Sequence, residues 1–246
     1  MFTLSFDKLI ARFSKPINHF SRKVHVSSQL KLIPKSKELY VLVPPWHSKF
    51  DCYRIVRSKI KSMGYSYLEY KINSSLLSSD YQTTKKEFNA ITHRIVSDIH
   101  NLKEDFKFVE IVIVGVSIGC IETMMVANNN HDITKVILVV PGNCLAESMW
   151  EGVRTANIRK IFEHKSFTLD FLKHNWKTLA PENNLEGLKD KKIEIYLSKS
   201  DAVIPYKLGY KLVLAMRDKG LKPLLKENKL LGHYGTAISF FLHPSL

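Results

Sequence analysis

The stretch VIVGVSIGCIETM, residues 112–124, passes from a block of β-branched apolar residues into a turn in which Gly115 and Gly119 flank Ser117. The apolar block predicts a buried strand, and the residues after the turn predict a helix. A sharp strand-to-helix bend forces the displayed residue toward positive φ, and a Cβ two positions away would collide across the turn. Glycine at both flanks removes that collision, so the stretch predicts a serine displayed at the tip of a tight turn.

Length and composition restrict the class of protein. The 246 residues are 45% hydrophobic and 24% charged, which suits one α/β domain with a substantial core. The formal net charge is +14, but the lysines are spread along the chain without an arginine-rich or aromatic-basic motif, which favours a solvated surface over nucleic-acid binding. The cysteines, Cys52, Cys120 and Cys144, are too few and too scattered for a disulfide framework, so we expect free thiols and a cytoplasmic location.

Residues 1–37 are predicted to pack on the core or to precede it. Within residues 1–23, one helical face carries apolar side chains beside basic ones, namely Phe2, Phe6, Leu9, Ile10 and Phe13 beside Lys8 and Arg12. This face allows peripheral contact with a membrane or organelle targeting, although packing on the chain's own domain is the commoner reason for such a face. No apolar run in the sequence is long enough to span a membrane.

From Glu38 onward, short apolar strands alternate with amphipathic helices, which is the pattern of a parallel sheet covered on both faces. We expect six or seven strands and place six of them at residues 38–43, 65–72, 108–114, 135–140, 193–198 and 223–231. Residues 143–192 contain no strand-like run, and a featureless loop of that length is rare inside a domain. A structured helical insertion is therefore expected there.

A serine hydroxyl is a poor nucleophile unless a base and an orienting acid accompany it. Asp201 follows a predicted strand in YLSKSDAVIPY, and His233 lies in the turn GHYG after the last predicted strand. Asp201 alone would suit a helix N-cap, and nine other histidines compete with His233. Only His233 has a glycine-flanked position at the end of a strand, so we predict that Ser117, Asp201 and His233 act together as nucleophile, acid and base.

The segment GVSIG, residues 115–119, resembles the G-x-S-x-G nucleophile elbow of the α/β-hydrolase fold, and the chain order Ser117, Asp201, His233 matches that family. The resemblance implies a three-layer α/β fold with a mostly parallel sheet over residues 38–246, in which residues 143–192 form a small helical cap above Ser117. It also implies a serine hydrolase that cleaves a carboxylic ester through an acyl-enzyme, with no cofactor or metal.

Several other activities use the same fold and leave alternatives open. Thioesterases, amidases or peptidases, and carbon–carbon hydrolases share the triad, and their distinction lies in the shape of the pocket. An alternative of another class is a noncatalytic α/β-hydrolase-like binding protein, against which an intact triad argues. The expected partner is a small-molecule acyl substrate with an apolar group, and nothing in the sequence indicates an oligomeric state.

The resemblance also implies two backbone N–H donors for a developing oxyanion. Ile118 is the candidate for the first donor because it directly follows the nucleophile. The loop after the strand at 38–43 reads PPWHS, whereas the family usually has a His-Gly pair there. Proline has no N–H, so Trp46 is the candidate for the second donor.

Candidate substrate-binding residues flank these donors in the sequence. His47 either binds substrate or covers the oxyanion loop. The aromatic side chains of the insertion, notably Trp150, Phe162 and Trp176, either line an apolar pocket or form the insertion's own core.

Overall fold

The computed structural model describes residues 26–45, 51–72 and 76–244. Seven strands lie in these residues, namely β1 (Val26–Lys31), β2 (Glu38–Val43), β3 (Ser66–Ile72), β4 (Glu110–Val116), β5 (Lys135–Val139), β6 (Lys192–Ser198) and β7 (Leu224–Asn228). Eight α-helices accompany them, namely α1 (Arg54–Ser62), α2 (Tyr81–Phe106), α3 (Gly119–Asn129), α4 (Leu145–Glu151), α5 (Ala156–His164), α6 (Leu169–Asn175), α7 (Tyr206–Asp218) and α8 (Gly232–Leu242). Four short 3-10 turns lie between residues 153 and 188.

The seven strands form one sheet in the order β1-β3-β2-β4-β5-β6-β7. β1 is antiparallel to β3, and every other neighbouring pair is parallel. The prediction of six or seven mostly parallel strands is confirmed. Because the carboxyl ends of parallel strands share one edge of the sheet, the loops after β4, β6 and β7 can bring distant parts of the sequence together.

The central strands are apolar along their length because helices cover both faces of the sheet. In β4, Ile111 and Ile113 face one apolar cluster, whereas Val112 and Val114 face the other. Side chains of α2, α3 and α7 complete the first cluster, and those of α1 and α8 complete the second. This alternation produces the three layers that the sequence predicts.

The connection between β5 and β6 contains α4, α5, α6 and the 3-10 turns. Its buried side chains, among them Phe162, Leu172 and Leu179, belong to the same apolar cluster as the side chains of α2 and α3. Gly187 lies against the end of α3, where its N–H donates to Asn128 Oδ1 at 2.9 Å. The insertion is therefore continuous with the core on one face of the sheet.

β1 lies within residues 1–37, for which the sequence predicts no strand. Its residues, VSSQLK, are exposed in five of six positions. An edge strand has one neighbour and can leave both of its faces partly solvated, so it needs little of the apolar alternation that marks inner strands. The strand is therefore recognisable only from its pairing with β3.

Several predictions concern residues outside those that the structure describes. They are the amphipathic face within residues 1–23 and the roles of Trp46 and His47. Among the described helices, none is both long enough and apolar enough to cross a membrane.

Candidate active site

Ser117 directly follows β4 and is separated from α3 by Ile118, and its φ is 55°. Its N–H donates to the carbonyl oxygen of Val139 at 2.9 Å, which extends the pairing of β4 and β5 into the turn. A Cβ at Gly119 would lie 2.5 Å from the carbonyl oxygen of Pro44, and a Cβ at Gly115 would lie 2.8 Å from that of Gly119. Neither flank has room for a side chain, as the sequence predicts.

The side chains of Ser117, His233 and Asp201 form a hydrogen-bonded series. His233 Nε2 lies 3.0 Å from Ser117 Oγ, and His233 Nδ1 lies 2.8 Å from Asp201 Oδ2. The histidine and aspartate side chains are 5% and 4% exposed, so water has little access to the bond between them. The structure thus brings together the three residues that the sequence predicts to act together. Ser117 and His233 are 116 positions apart in the sequence.

Asp201 is held by the loop between β6 and α7. Its Oδ1 accepts hydrogen bonds from the N–H groups of Val203 and Ile204, both at 2.9 Å, which leaves Oδ2 for the histidine. α7 begins at Tyr206 and has Pro205 at its N-cap position, so Asp201 does not cap that helix. The aspartate therefore orders its own loop while pointing one oxygen at the imidazole.

Cys120 is the nearest other nucleophilic side chain to the elbow along the chain. Its thiol is 1% exposed and donates weakly to the carbonyl oxygens of Gly115 and Val139. Burial raises the pKa of the Cys120 thiol well above its ordinary value. The thiolate is the reactive form of cysteine, so this thiol does not compete with Ser117.

The predicted oxyanion donors are the N–H groups of Ile118 and Trp46. Ile118 occupies the N-cap position of α3, and the N–H groups of Cys120 and Ile121 donate to the carbonyl oxygens of Ser117 and Ile118, both at 3.0 Å. The role of the Ile118 N–H stays a prediction. The close approach of Pro44 to Gly119 brings the start of the loop after β2 against this turn. Trp46 itself lies outside the described residues, and its role stays a prediction, as does that of His47.

The predicted aromatic residues of the insertion lie in two environments. Phe162 and Trp176 are 0% and 1% exposed, and their rings contact edge to face at 5.9 Å. Trp176 Nε1 also donates to the carbonyl oxygen of Tyr81 at 2.9 Å. Trp150 is half-buried against the same cluster. Of the two roles that the sequence leaves open, the burial of Phe162 and Trp176 favours the insertion's own core over a pocket wall.

Glu147 is the first acidic residue after β5 and the other candidate for the acid beside His233, whereas Asn143, which precedes it, has a neutral amide. Glu147 accepts hydrogen bonds from Lys173 at 2.9 Å and Lys211 at 3.3 Å. Burial raises the pKa of Glu147 and these two lysines lower it, with a net shift downward. Asn143 donates to Glu182. Both side chains thus have partners in or beside the insertion, whereas His233 bonds to Asp201.

The start of the insertion contacts the first turn of α8, which carries His233. Arg154 Nη1 lies 2.6 Å from the hydroxyl oxygen of Tyr234, and the guanidinium carbon lies 5.8 Å from the centre of that ring. The Tyr234 ring in turn contacts the His233 ring edge to face at 5.4 Å. Arg154 could not be predicted as part of this contact, because an isolated arginine in a helical segment carries no motif. That the whole insertion covers Ser117 stays a prediction.

Comparisons with known proteins agree with this architecture. No protein-family model and no curated protein matches the sequence. A carboxylesterase of Nitrososphaera gargenis is similar in structure over 92% of this chain and 92% of its own, with a TM-score of 0.56 and 15% identity. An esterase of Pyrococcus furiosus has a TM-score of 0.59 at 12% identity, over 90% of this chain and 81% of its own. The chain has the α/β-hydrolase fold.

A peptidase shares this architecture with the esterases. An acylaminoacyl peptidase of Pyrococcus horikoshii matches 96% of this chain and 43% of its own, with a TM-score of 0.62 and 15% identity. At such identities the likeness concerns the α/β-hydrolase fold alone, and the same fold serves several kinds of acyl bond. The function must therefore be argued from the site.

Proposed function

We propose that this α/β-hydrolase-fold chain is a serine hydrolase that cleaves a carboxylic ester or a related acyl bond. The observation that carries the proposal is the hydrogen-bonded series of Ser117, His233 and Asp201, with the serine at positive φ on a strand-to-helix turn. The fold shared with esterases supports it. A serine in a purely structural turn would not need a histidine nitrogen 3.0 Å from its hydroxyl oxygen. It would also not need a buried carboxylate bonded to the other nitrogen of that histidine.

The first half of the reaction forms an acyl-enzyme. His233 Nε2 takes the proton of Ser117 Oγ as that oxygen attacks the carbonyl carbon of the substrate. Asp201 Oδ2 accepts the hydrogen bond of Nδ1–H, which fixes the imidazole tautomer and stabilises the imidazolium that forms. The imidazolium then gives its proton to the leaving alcohol as the bond to the carbonyl carbon breaks.

The second half releases the acyl group to water. His233 now takes a proton from a water molecule, whose oxygen attacks the acyl carbon, and returns the proton to Ser117 Oγ as that bond breaks. In both halves the negative charge on the carbonyl oxygen needs fixed donors. We assign this role to the N–H groups of Ile118 and Trp46, to which the positive end of α3 adds.

The substrate is proposed to be a small molecule with an apolar acyl or alcohol group. Three exposed apolar side chains lie close in the sequence to residues of the site: Val153, beside Arg154, is 66% exposed, and Leu230 and Leu231, just before His233, are 90% and 43% exposed. Apolar side chains that stay exposed near a reactive centre suit an apolar ligand, and we assign these three to that role.

The test is covalent labelling with a fluorophosphonate probe, with the site of attachment read by mass spectrometry. We expect labelling at Ser117 and at no other serine, because among the serines that the structure describes only Ser117 has a histidine nitrogen at hydrogen-bond distance. Ser117→Ala is the matched control and should remain unlabelled. Labelling that persists in this variant would remove the assignment of the nucleophile.

A panel of acyl substrates then identifies the bond. We expect p-nitrophenyl esters of graded chain length to be cleaved, with kcat/KM rising with chain length if the exposed apolar side chains receive the acyl group. Faster cleavage of matched thioesters or anilides would reassign the bond. Saturable binding of an acyl ligand without labelling or turnover would identify a noncatalytic binding protein instead.

A further inference from the structure

A group of polar side chains at the ends of β6 and β7 joins the loop that carries Asp201 to the first turn of α8, which carries His233. The site described above uses none of them. We infer that Asn228 is a positioning residue that fixes the first turn of α8 relative to Asp201 and Ser117. This inference rests on the proposed function, because it assigns to Asn228 the alignment of that function's general base.

Asn228 is the last residue of β7, and its side chain uses its hydrogen-bonding groups fully. Oδ1 accepts from Ser198 Oγ at 2.9 Å and from Leu231 N–H at 3.0 Å. Nδ2 donates to Thr236 Oγ1 at 2.7 Å and to the carbonyl oxygen of Leu197 at 3.3 Å. Since a carbonyl oxygen can only accept and an N–H can only donate, these partners fix which end of the amide is which.

The bonds of Asn228 pass directly to the residues around His233. Thr236 Oγ1, which accepts from Asn228, donates to the carbonyl oxygen of Gly232 at 2.6 Å. The N–H of Gly232 donates to Ser200 Oγ at 3.1 Å, and Ser200 immediately precedes Asp201. Gly232 and Thr236, which this network joins, lie before and after His233 in the first turns of α8.

Asn228 thus holds two points around His233 and one point of the acid loop. Its side chain bonds to the N–H of Leu231, just before α8, and to the hydroxyl of Thr236, beyond His233 in that helix. Its backbone carbonyl accepts from the N–H of Lys199 at 2.9 Å, at the start of the acid loop. A fully satisfied polar network fixes one arrangement of the groups that it joins. The 3.0 Å separation between His233 Nε2 and Ser117 Oγ therefore depends on this asparagine.

The first test compares Asn228→Ala with Asn184→Ala. Asn184 is a buried asparagine of the insertion whose Nδ2 donates to the carbonyl oxygens of Thr178 and Ala180, so its removal also costs buried hydrogen bonds. We expect Asn228→Ala to lower the rate of fluorophosphonate labelling of Ser117 and the kcat for an ester by about 10- to 100-fold, with KM changed less than twofold. Asn184→Ala should lose comparable thermal stability and keep wild-type rates.

A second pair of variants isolates the hydroxyl at position 236. Thr236→Val keeps the shape of the side chain but removes the bonds to Asn228 and Gly232, whereas Thr236→Ser retains the hydroxyl. Thr236→Val should reproduce the kinetic loss of Asn228→Ala, and Thr236→Ser should restore most of the rate. The double variant Asn228→Ala/Thr236→Val should lose little more labelling rate than either single variant, because both substitutions break the same hydrogen bond between residues 228 and 236.

A spectroscopic measurement reads the alignment without turnover. The proton on His233 Nδ1 that bonds to Asp201 should give a strongly downfield resonance in the proton NMR spectrum of the wild-type chain. Asn228→Ala and Thr236→Val should shift or broaden this resonance, and Asn184→Ala should leave it unchanged.

Each outcome decides between the two proposals. If the wild-type chain neither reacts with the probe nor cleaves an ester, the proposed function fails, and the positioning role fails with it. If the wild-type chain reacts but the Asn228→Ala and Thr236→Val variants keep its labelling rate, only the positioning role is overturned. Independent, additive losses in the double variant would likewise overturn it.

Discussion

Gly119, two residues after Ser117, is a position at which the structure gives a sharp steric prediction. A methyl group in Gly119→Ala would lie 2.5 Å from the carbonyl oxygen of Pro44 and 2.9 Å from that of Val43. The shorter distance is roughly 1 Å less than an ordinary contact between uncharged heavy atoms. Both colliding atoms belong to the backbone, so no side chain can rotate away, and either α3 or the loop after β2 has to move.

This displacement should reduce both stability and activity. We expect Gly119→Ala to lower the free energy of unfolding by about 3 kcal/mol, at the upper end of the usual cost of overpacking. A shift of the loop after Pro44 also moves the proposed second oxyanion donor, Trp46, and we expect kcat/KM to fall by about 100-fold. Urea unfolding followed by circular dichroism and initial rates with a short-chain ester measure the two effects.

Two control variants separate the collision from other effects of substitution. Gly220 has a φ of +79°, and no atom of the described residues lies within 4 Å of the position that a methyl group would take there. Gly220→Ala should therefore cost only the backbone strain, about 1 kcal/mol, without a change in rate. Cys120→Ala trims the neighbouring buried side chain and should cost about 1 kcal/mol. If Gly119→Ala matched these two variants in stability and rate, the turn would not be crowded in the way we describe.

Two further predictions concern charge. Asp201→Asn should lower kcat/KM by roughly three to four orders of magnitude without loss of the folded circular dichroism spectrum, since the amide favours the wrong imidazole tautomer; Asp132→Asn, the control, should leave the rate unchanged. Burial raises the pKa of Glu122 well above its ordinary value. The contribution of this group to the free energy of unfolding is therefore greatest below about pH 4 and declines as pH rises, by up to about 1.4 kcal/mol per pH unit. Urea unfolding at several pH values should therefore show the wild-type chain losing stability relative to Glu122→Gln as pH rises, and parallel curves would contradict this.

The contacts among Ser117, His233 and Asp201 could be predicted because each residue carries a local signal as well as a position along the chain. Two glycines mark the turn at Ser117, a strand end precedes Asp201, and a glycine-flanked turn after the last strand contains His233. The topology of a parallel sheet then brings these loops to one edge. β4 and β5 could be predicted for a related reason, since helices on both faces require apolar residues throughout.

Other features depend on tertiary contacts that leave no pattern in the sequence. The residues of β1 are mostly polar because the strand lies at an edge, so no alternation distinguishes it from a loop. Phe162 and Trp176 would have the same helical spacing whether they faced a pocket or a core, and only their packing against α2 separates the two cases. Asn228 lies in a polar segment where asparagine is common, and its four side-chain partners are visible only once β6 and β7 are paired.

Backbone strain at the ends of β4 and β5 indicates how the sheet fixes the position of Ser117. Ser117 and Val140 have φ values of 55° and 51°, and each directly follows the carboxyl end of a central strand, β4 or β5. Positive φ is especially unfavourable for a β-branched residue such as Val140, and such strain persists only where the surroundings fix the conformation. Here the N–H of Ser117 donates to the carbonyl oxygen of Val139, and the N–H of Val140 donates to that of Tyr196, both at 2.9 Å. The backbone pairing of the sheet therefore continues for one residue beyond β4 and beyond β5. The turn at Ser117 is thus fixed by the neighbouring strand as well as by its glycines, and the serine hydroxyl meets His233 without a rearrangement of the backbone.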